Sequence, residues 1–196
     1  MFREHDKEIW EKARVYLDVR NNDEHTLVAY QIARKLLEYY PEANAEVVLP
    51  AILLHDTGWK KVPQDKLMSS FGINKKYPEL LIQHEKEGAA LATEILKSLG
   101  YSASVGDPVS QIIDGHDSTL DARHIEDAVV KDADKLWRFS PHGNRVICNW
   151  YNVSPCEAID IVKGNSMRHL LLPKSKEFAG LLVMLTEAGE NLQQYL

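Results

Sequence analysis

Glu46 to Asp56 reads EVVLPAILLHD. Eight apolar residues, Val47 to Leu54, run without interruption and then give way to His55 and Asp56. Such a run fits a buried strand as well as a buried helix, and periodicity alone does not separate the two. Two features select the helix: the neighbouring segments are helical, and Gly58 stands where a C-terminal cap would. Pro50 then falls in the first turn or at a kink. Whichever element forms, the imidazole and carboxylate that follow it lie at the edge of the core. A charged carboxylate there costs several kcal/mol unless something compensates it. A bound metal ion is the compensation this pattern suggests.

Working outward from this segment, one helical stripe follows another. After Asn22-Asp23, a pair able to cap a helix, Val28, Ile32, Leu36 and Tyr40 recur every four residues until Pro41 stops them. His25 shares their inward face. Trp59 to Gln83 is polar and irregular, the mark of a covering loop with a short helix. From His84, positions Gly88, Leu91, Ile95 and Leu99 share a face, and Gly100 closes the helix. Asp107-Pro108 reads as a cap and first helical position, with Val109, Ile112 and Ile113 facing inward and His116 continuing the stripe. Asp121 is placed to cap a helix carrying Ile125, Val129, Ala133 and Leu136. Ser154-Pro155-Cys156-Glu157 has the form of a capping box, and Phe178, Leu181, Leu182, Leu185 and Leu192 mark a last helix. No strand pair with turn chemistry appears, and no repeat. The expected fold is all-α, a single helical unit over 1–196 with a metal-binding core at about 20–140 and C-terminal helices over 141–196.

Composition narrows the class. The chain has 196 residues and a formal net charge of -6, which argues against a broad face for a nucleic-acid polymer. The two cysteines, Cys148 and Cys156, fit neither a secreted disulfide framework nor a thiolate zinc site. The start, MFREHDKEIW, lacks the apolar region of a signal peptide, and no apolar run approaches membrane-spanning length. These readings lead to the expectation of a cytoplasmic protein with no membrane partner; an oligomer is compatible with them.

Three HD dipeptides occur, at His5-Asp6, His55-Asp56 and His116-Asp117. The first sits among charged residues and reads as a solvated helix start. The other two follow apolar stripes. His25, His55, His84 and His116 each end a predicted helix on or beside its apolar face, and Asp134 lies inside the apolar helix IEDAVVKDADKLW. Four imidazoles and two carboxylates gathered at one end of a bundle suit a divalent metal. His124, His142 and His169 carry no motif and read as surface or loop residues. Trp10, Trp59, Trp137 and Trp150 read as core or pocket wall.

A helical histidine, then "LLHDTGW", then "DADKL" resemble the HD superfamily of metal-dependent phosphohydrolases, whose pattern is H…HD…D. The additional His84 and His116 resemble its binuclear subgroup, H…HD…H…H…D. The resemblance covers about residues 20 to 140 and implies an HD-domain-like helical bundle. It implies that His25, His55, Asp56 and Asp134 hold a first metal. Asp56 would bridge to a second, bound also by His84 and His116. Asp117 would be a further ligand or a proton acceptor. The family's Ala-Asp-basic pattern selects Asp134 over Asp132, which is left the role of orienting a ligand histidine. One or two divalent ions per chain are implied, drawn from Fe, Mn, Co, Ni, Zn and Mg.

These residues lead to the expectation of a phosphohydrolase in which metal-activated water attacks phosphorus. Its substrate would be a small phosphorylated metabolite, a nucleotide or dinucleoside polyphosphate. Asp56, His84, His116 and Asp117 would form the catalytic set. Cations would hold the phosphate: Lys60 and Lys61 just after the HD pair, Arg138 and Arg145 after the last ligand. Two rival readings keep the fold, a binuclear-iron oxygenase of the same superfamily and a non-catalytic nucleotide-sensing module. The lysines after the HD pair favour phosphate chemistry.

Overall fold

The computed structural model describes residues 2–70 and 76–192. Among these residues there are nine α-helices and no strand. They are α1 (Glu4–Ala13), α2 (Asn22–Leu37), α3 (Ala45–Leu54), α4 (Glu79–Ser98), α5 (Ala103–Ile113), α6 (Ile125–Leu136), α7 (Pro141–Tyr151), α8 (Pro155–Ser166) and α9 (Pro173–Leu192). Among the described residues no helix is long and apolar enough to cross a membrane.

The ambiguous run is a helix, and its composition explains its position. Every residue from Val47 to Leu54 is buried, as a helix apolar on all sides requires. α3 is therefore the central rod, packed against α1, α2, α5 and α6. Asn44 caps it, its side chain accepting the Glu46 amide. Pro50 lies in the helix interior rather than its first turn. The helix stops at Leu54, and a 3-10 turn over Thr57–Lys61 follows.

Gly58 is not a helix cap. An added Cβ would lie 1.9 Å from the His84 carbonyl oxygen and 2.5 Å from the Gly88 amide nitrogen. Only glycine lets this turn rest directly on the α4 backbone. Three other boundaries differ from the sequence reading. α4 begins at Glu79 rather than near His84, so it takes up part of the expected loop; residues 71–75 of that loop lie outside the described residues. α5 begins at Ala103, with Pro108 in its interior. His124, not Asp121, caps α6, its ring accepting the Asp127 amide. The capping box at Ser154 and Glu157 is present as read.

His5-Asp6 is also more than a solvated helix start. Asp6 is fully buried and accepts the Arg3 guanidinium at 2.6 and 2.9 Å and the Tyr30 hydroxyl at 2.7 Å. A buried carboxylate so satisfied ties α1 to α2.

The C-terminal helices join the same apolar core, which runs from Ile9 to Val183. Their anchor is Asp132. Its carboxylate accepts the backbone amides of Leu171 at 2.9 Å and Leu172 at 2.8 Å, just before α9. Burial pushes this carboxyl above its ordinary value, against the pull of those two amides. Asp132→Ala leaves both amides without their acceptor, at about 1–3 kcal/mol for a buried group. Urea unfolding of this variant is expected to show about 2–4 kcal/mol lost; a loss below 0.5 kcal/mol would show that Asp132 does not anchor α9.

Candidate metal centre

Four imidazoles meet at one end of the bundle. His25 comes from the first turn of α2, His55 from the end of α3, His84 from α4 and His116 from the loop after α5; all four are buried. The His25 and His55 Nε2 atoms are 2.9 Å apart, and those of His84 and His116 are 3.4 Å apart.

Asp56 lies between the two pairs. Its Oδ2 is 3.5 Å from His25 Nε2 and 3.6 Å from His55 Nε2. Its Oδ1 is 3.6 Å from His116 Nε2 and 3.8 Å from His84 Nε2. Asp134 Oδ1 completes the first group at 3.3 and 3.6 Å from His25 and His55. Asp117 Oδ2 approaches the second at 3.9 and 4.0 Å from His116 and His84.

The donor set fits a divalent cation. Two ligands at right angles about 2.1 Å from one cation lie about 3 Å apart, close to these spacings. Ring orientation agrees. His55 Nδ1 donates to the Ile52 carbonyl at 2.8 Å and His116 Nδ1 to the Ile113 carbonyl at 2.9 Å. These bonds leave each Nε2 lone pair facing the cluster, the arrangement metal-bound histidines adopt. His25 and His84 have no hydrogen-bond partner at Nδ1 among the described residues, so their polar contacts are all at Nε2. Three overlapping groups have metal-ligand spacing: His25, His55 and Asp134; His55, Asp56 and His116; His84, His116 and Asp117.

Electrostatics point the same way. Burial alone would push the Asp56 carboxyl up; His55, His116, His25 and Arg20 outweigh it and hold it well below its ordinary value. Burial likewise acts to raise Asp134, and Arg138 with the two histidines lowers it well below the ordinary range. Burial and the neighbouring His116 depress His84 to about 3. The core thus holds ionised carboxylates and, at His84, a neutral imidazole, both metal-binding forms. At His116 burial is outweighed by Asp56 and Asp117, which raise it to about 9, so a cation would have to displace its proton.

Three contacts the sequence did not announce hold the second histidine pair. Glu85, next to His84, accepts the amides of Asp117 and Ser118, both at 2.8 Å. Lys131 of α6 is fully buried, and its ammonium donates to the carbonyls of Gly115 (2.6 Å), His116 (3.2 Å) and Thr119 (2.9 Å) and to the Thr119 hydroxyl (2.8 Å). Trp59 stacks on the His84 ring with centroids 3.9 Å apart, while its indole N–H donates to Asp56 Oδ1 at 3.0 Å.

The choice between the two acids of α6 is clear in space. Asp134 faces His25 and His55, whereas Asp132 points the other way and holds the segment before α9. It orients no ligand histidine.

A family model for the HD domain matches residues 22–138, more than half of the chain. The chain belongs to the HD-domain family. Membership places it in a superfamily of metal-dependent hydrolases. No curated protein and no solved structure matches the chain.

The expected phosphate-binding cations divide. Arg138 is brought to the site, its guanidinium 3.5 Å from Asp134 Oδ2. Lys60 and Lys61 are exposed. Lys60 pairs with Asp18 at 2.6 Å, and the Lys61 ammonium lies 6.0 Å from the Tyr16 ring centroid. Being next to the HD pair in sequence does not aim them at it, because the 3-10 turn rotates them outward. Arg145, also exposed, lines a separate groove with Glu24 and His142.

Arg20 was not expected and is central. It lies over the rings of Trp59, at 4.5 Å, and Trp150, at 5.3 Å. It lines a narrow recess with His25, Asp56, Asp117, Asp134 and Arg138. Arg20 and Asn21 both have positive φ, 56° and 59°, which costs non-glycine residues of order 1–3 kcal/mol each and clusters at functional sites. Nothing in the stretch DVRNNDEH announced it, since no periodicity runs there.

The recess opens into a cavity of about 340 Å³; Arg20, Asp117, Arg138 and Trp150 line both. A larger groove of about 700 Å³ between α2 and α9 is almost wholly apolar and touches none of the clustered acids or histidines. Chemistry, not volume, identifies the site.

Lys131→Met removes four hydrogen bonds from the loop that carries His116. Metal titration of this variant, followed by thermal unfolding, is expected to show affinity for the second cation weakened 10–100-fold. Unchanged affinity for both ions would show that Lys131 does not support the centre.

Proposed function

We propose that this HD-family chain is a phosphohydrolase that releases phosphate from a small phosphorylated metabolite. One observation carries the reading: Asp56, Asp117, Asp134 and His25 of the metal centre share a recess with two arginines, Arg20 and Arg138. Divalent cations held by His25, His55, Asp56, His84, His116 and Asp134 would lower the pKa of water toward neutrality and take up charge on phosphoryl oxygens.

The chain's own groups supply the rest. Arg20 and Arg138 both line the recess and would bind the non-bridging oxygens, where preformed positive charge stabilises a transferring phosphoryl group. Burial is the main influence on Arg138, yet Asp134, Asp117 and Asp56 outweigh it and raise its pKa, so it remains a cation. Asp117 lines both recess and cavity, and its carboxyl is held below its ordinary value as His116 outweighs burial. It would therefore stay ionised, able to accept a proton from a substrate's attacking water. Trp59 and Trp137 seal the imidazoles from bulk water.

A cavity of about 340 Å³ lies near the lower end of the 300–1,000 Å³ range of small-molecule sites. It supports a mononucleotide or smaller metabolite over a dinucleoside polyphosphate. Trp150 and Tyr151 in its wall offer apolar faces for the organic part. The same ligands would serve dioxygen chemistry on iron, and it is the paired arginines that favour phosphate over that alternative. A ligand set complete at every position supports turnover over mere nucleotide sensing.

The test is phosphate release from a panel of phosphate monoesters and nucleotides, with Mn, Mg, Fe, Co and Ni supplied in turn. Wild type is expected to turn over at least one of them. Asp56→Ala should lose at least 10³-fold in kcat, and Arg138→Gln about 10²–10³-fold. Lys60→Ala should stay within two-fold of wild type. An inactive wild type, or an Asp56→Ala variant as active as wild type, would overturn the proposal.

A further inference from the structure

The cavity beyond the recess is itself charged, and its second set of cations is not needed to bind a single phosphate at the metals. Lys135, Arg168 and His169 line the cavity but not the recess. Arg168 and His169 come from the 3-10 turn after α8, outside the residues matched by the family model. With Arg20 and Arg138, the cavity wall carries four permanent cations. Among the described residues lining it, Asp117 is the only carboxylate, and it stands on the metal side. This concentration of positive charge occurs in a chain of net charge -6.

Local pairing does not explain it. Among the described residues, no carboxylate lies within 4.0 Å of the Lys135 ammonium or the Arg168 guanidinium. Lys135 donates instead to the Lys131 carbonyl at 3.3 Å, and Arg168 to the His169 ring at 3.1 Å. His169 is half-buried between them; burial first, then Arg168 and Lys135, lower its pKa. Like charges left together cost energy unless an anion joins them.

We propose that the substrate carries two separated anionic groups, one phosphate at the metal centre with Arg20 and Arg138 and a second phosphate or carboxylate held by Lys135, Arg168 and His169. The assignment rests on the phosphohydrolase reading for the first group and extends it to substrate class. Arg168 and Lys135 then determine specificity: they bind the distal end of the molecule and leave the reacting phosphorus alone. An organic spacer lies between the two ends, against Trp150 and Tyr151.

Hydrolysis-resistant phosphonates separate this inference from the question of turnover. Calorimetric titration of the full metal-loaded chain compares α,ω-alkane bisphosphonates of three to six carbons with monophosphonates of the same length. ω-Carboxyalkylphosphonates tell a distal phosphate from a distal carboxylate. At the best length, the doubly anionic ligand is expected to bind at least ten-fold tighter than its monophosphonate. Arg168→Gln with Lys135→Gln should cut that ratio below three-fold, and Arg168→Lys should retain most of it. Arg168 is exposed, so Arg168→Gln alone gives the reading should the double variant not fold. No gain at any length, or a gain that survives both variants, overturns the proposal. Phosphate release by wild type reports separately: bisphosphonate selectivity without hydrolysis would sink the hydrolase reading and leave the two-anion pocket standing.

Discussion

One carboxylate shared by four imidazoles is the constraint on which the rest of this structure depends. Asp56 presents Oδ2 to His25 and His55 and Oδ1 to His84 and His116, and Asp134 and Asp117 stand at either side. In the interior such a group of ionisable side chains carries a desolvation penalty of several kcal/mol per charge. Divalent cations would offset it directly, because every inward-facing donor would then be a ligand. The fold is arranged to deliver those donors. They come from α2, the end of α3, α4, the loop after α5, and α6, and the central apolar rod α3 packs against α2, α4, α5 and α6.

What surrounds the ligands explains why they stay in place. The chain must pass α4 so closely at Gly58 that no side chain fits, and that contact seats Trp59 on His84 and against Asp56. The second HD loop has little secondary structure of its own, so it borrows order from Glu85 on one side and Lys131 on the other. A lysine buried to this degree is rare; here its three protons meet four acceptors, all on that loop. Arg20 enters from the opposite side on two left-handed residues, a strain compatible with a working site. The C-terminal helices then close the far wall of the cavity, held by Asp132.

Much of this was legible in the sequence for a simple reason. Helical periodicity records which face is buried, so histidines ending apolar stripes could be assigned to one end of a bundle. The order H…HD…H…H…D added the pairing. Position along a helix was less legible: Pro108 read as a helix start, and Pro50 as a first turn or a kink, because proline favours the first turn, yet both sit in helix interiors. The two acids Asp132 and Asp134 could not be separated by periodicity, since both lie on buried faces pointing in different directions. Lys60 and Lys61 show the opposite failure, in which closeness in sequence suggested closeness in space. Arg20 and Lys131 make their contacts with distant segments, and one-dimensional patterns carry no trace of those.

The most direct measurement is the metal content of the purified 196-residue chain, wild type beside Asp56→Ala, by elemental mass spectrometry. Two divalent ions per wild-type chain, and fewer than 0.2 per chain after the substitution, are the predicted values. A wild-type chain that takes up no divalent metal when supplied with each candidate ion, or a variant that retains the full complement, would contradict the account.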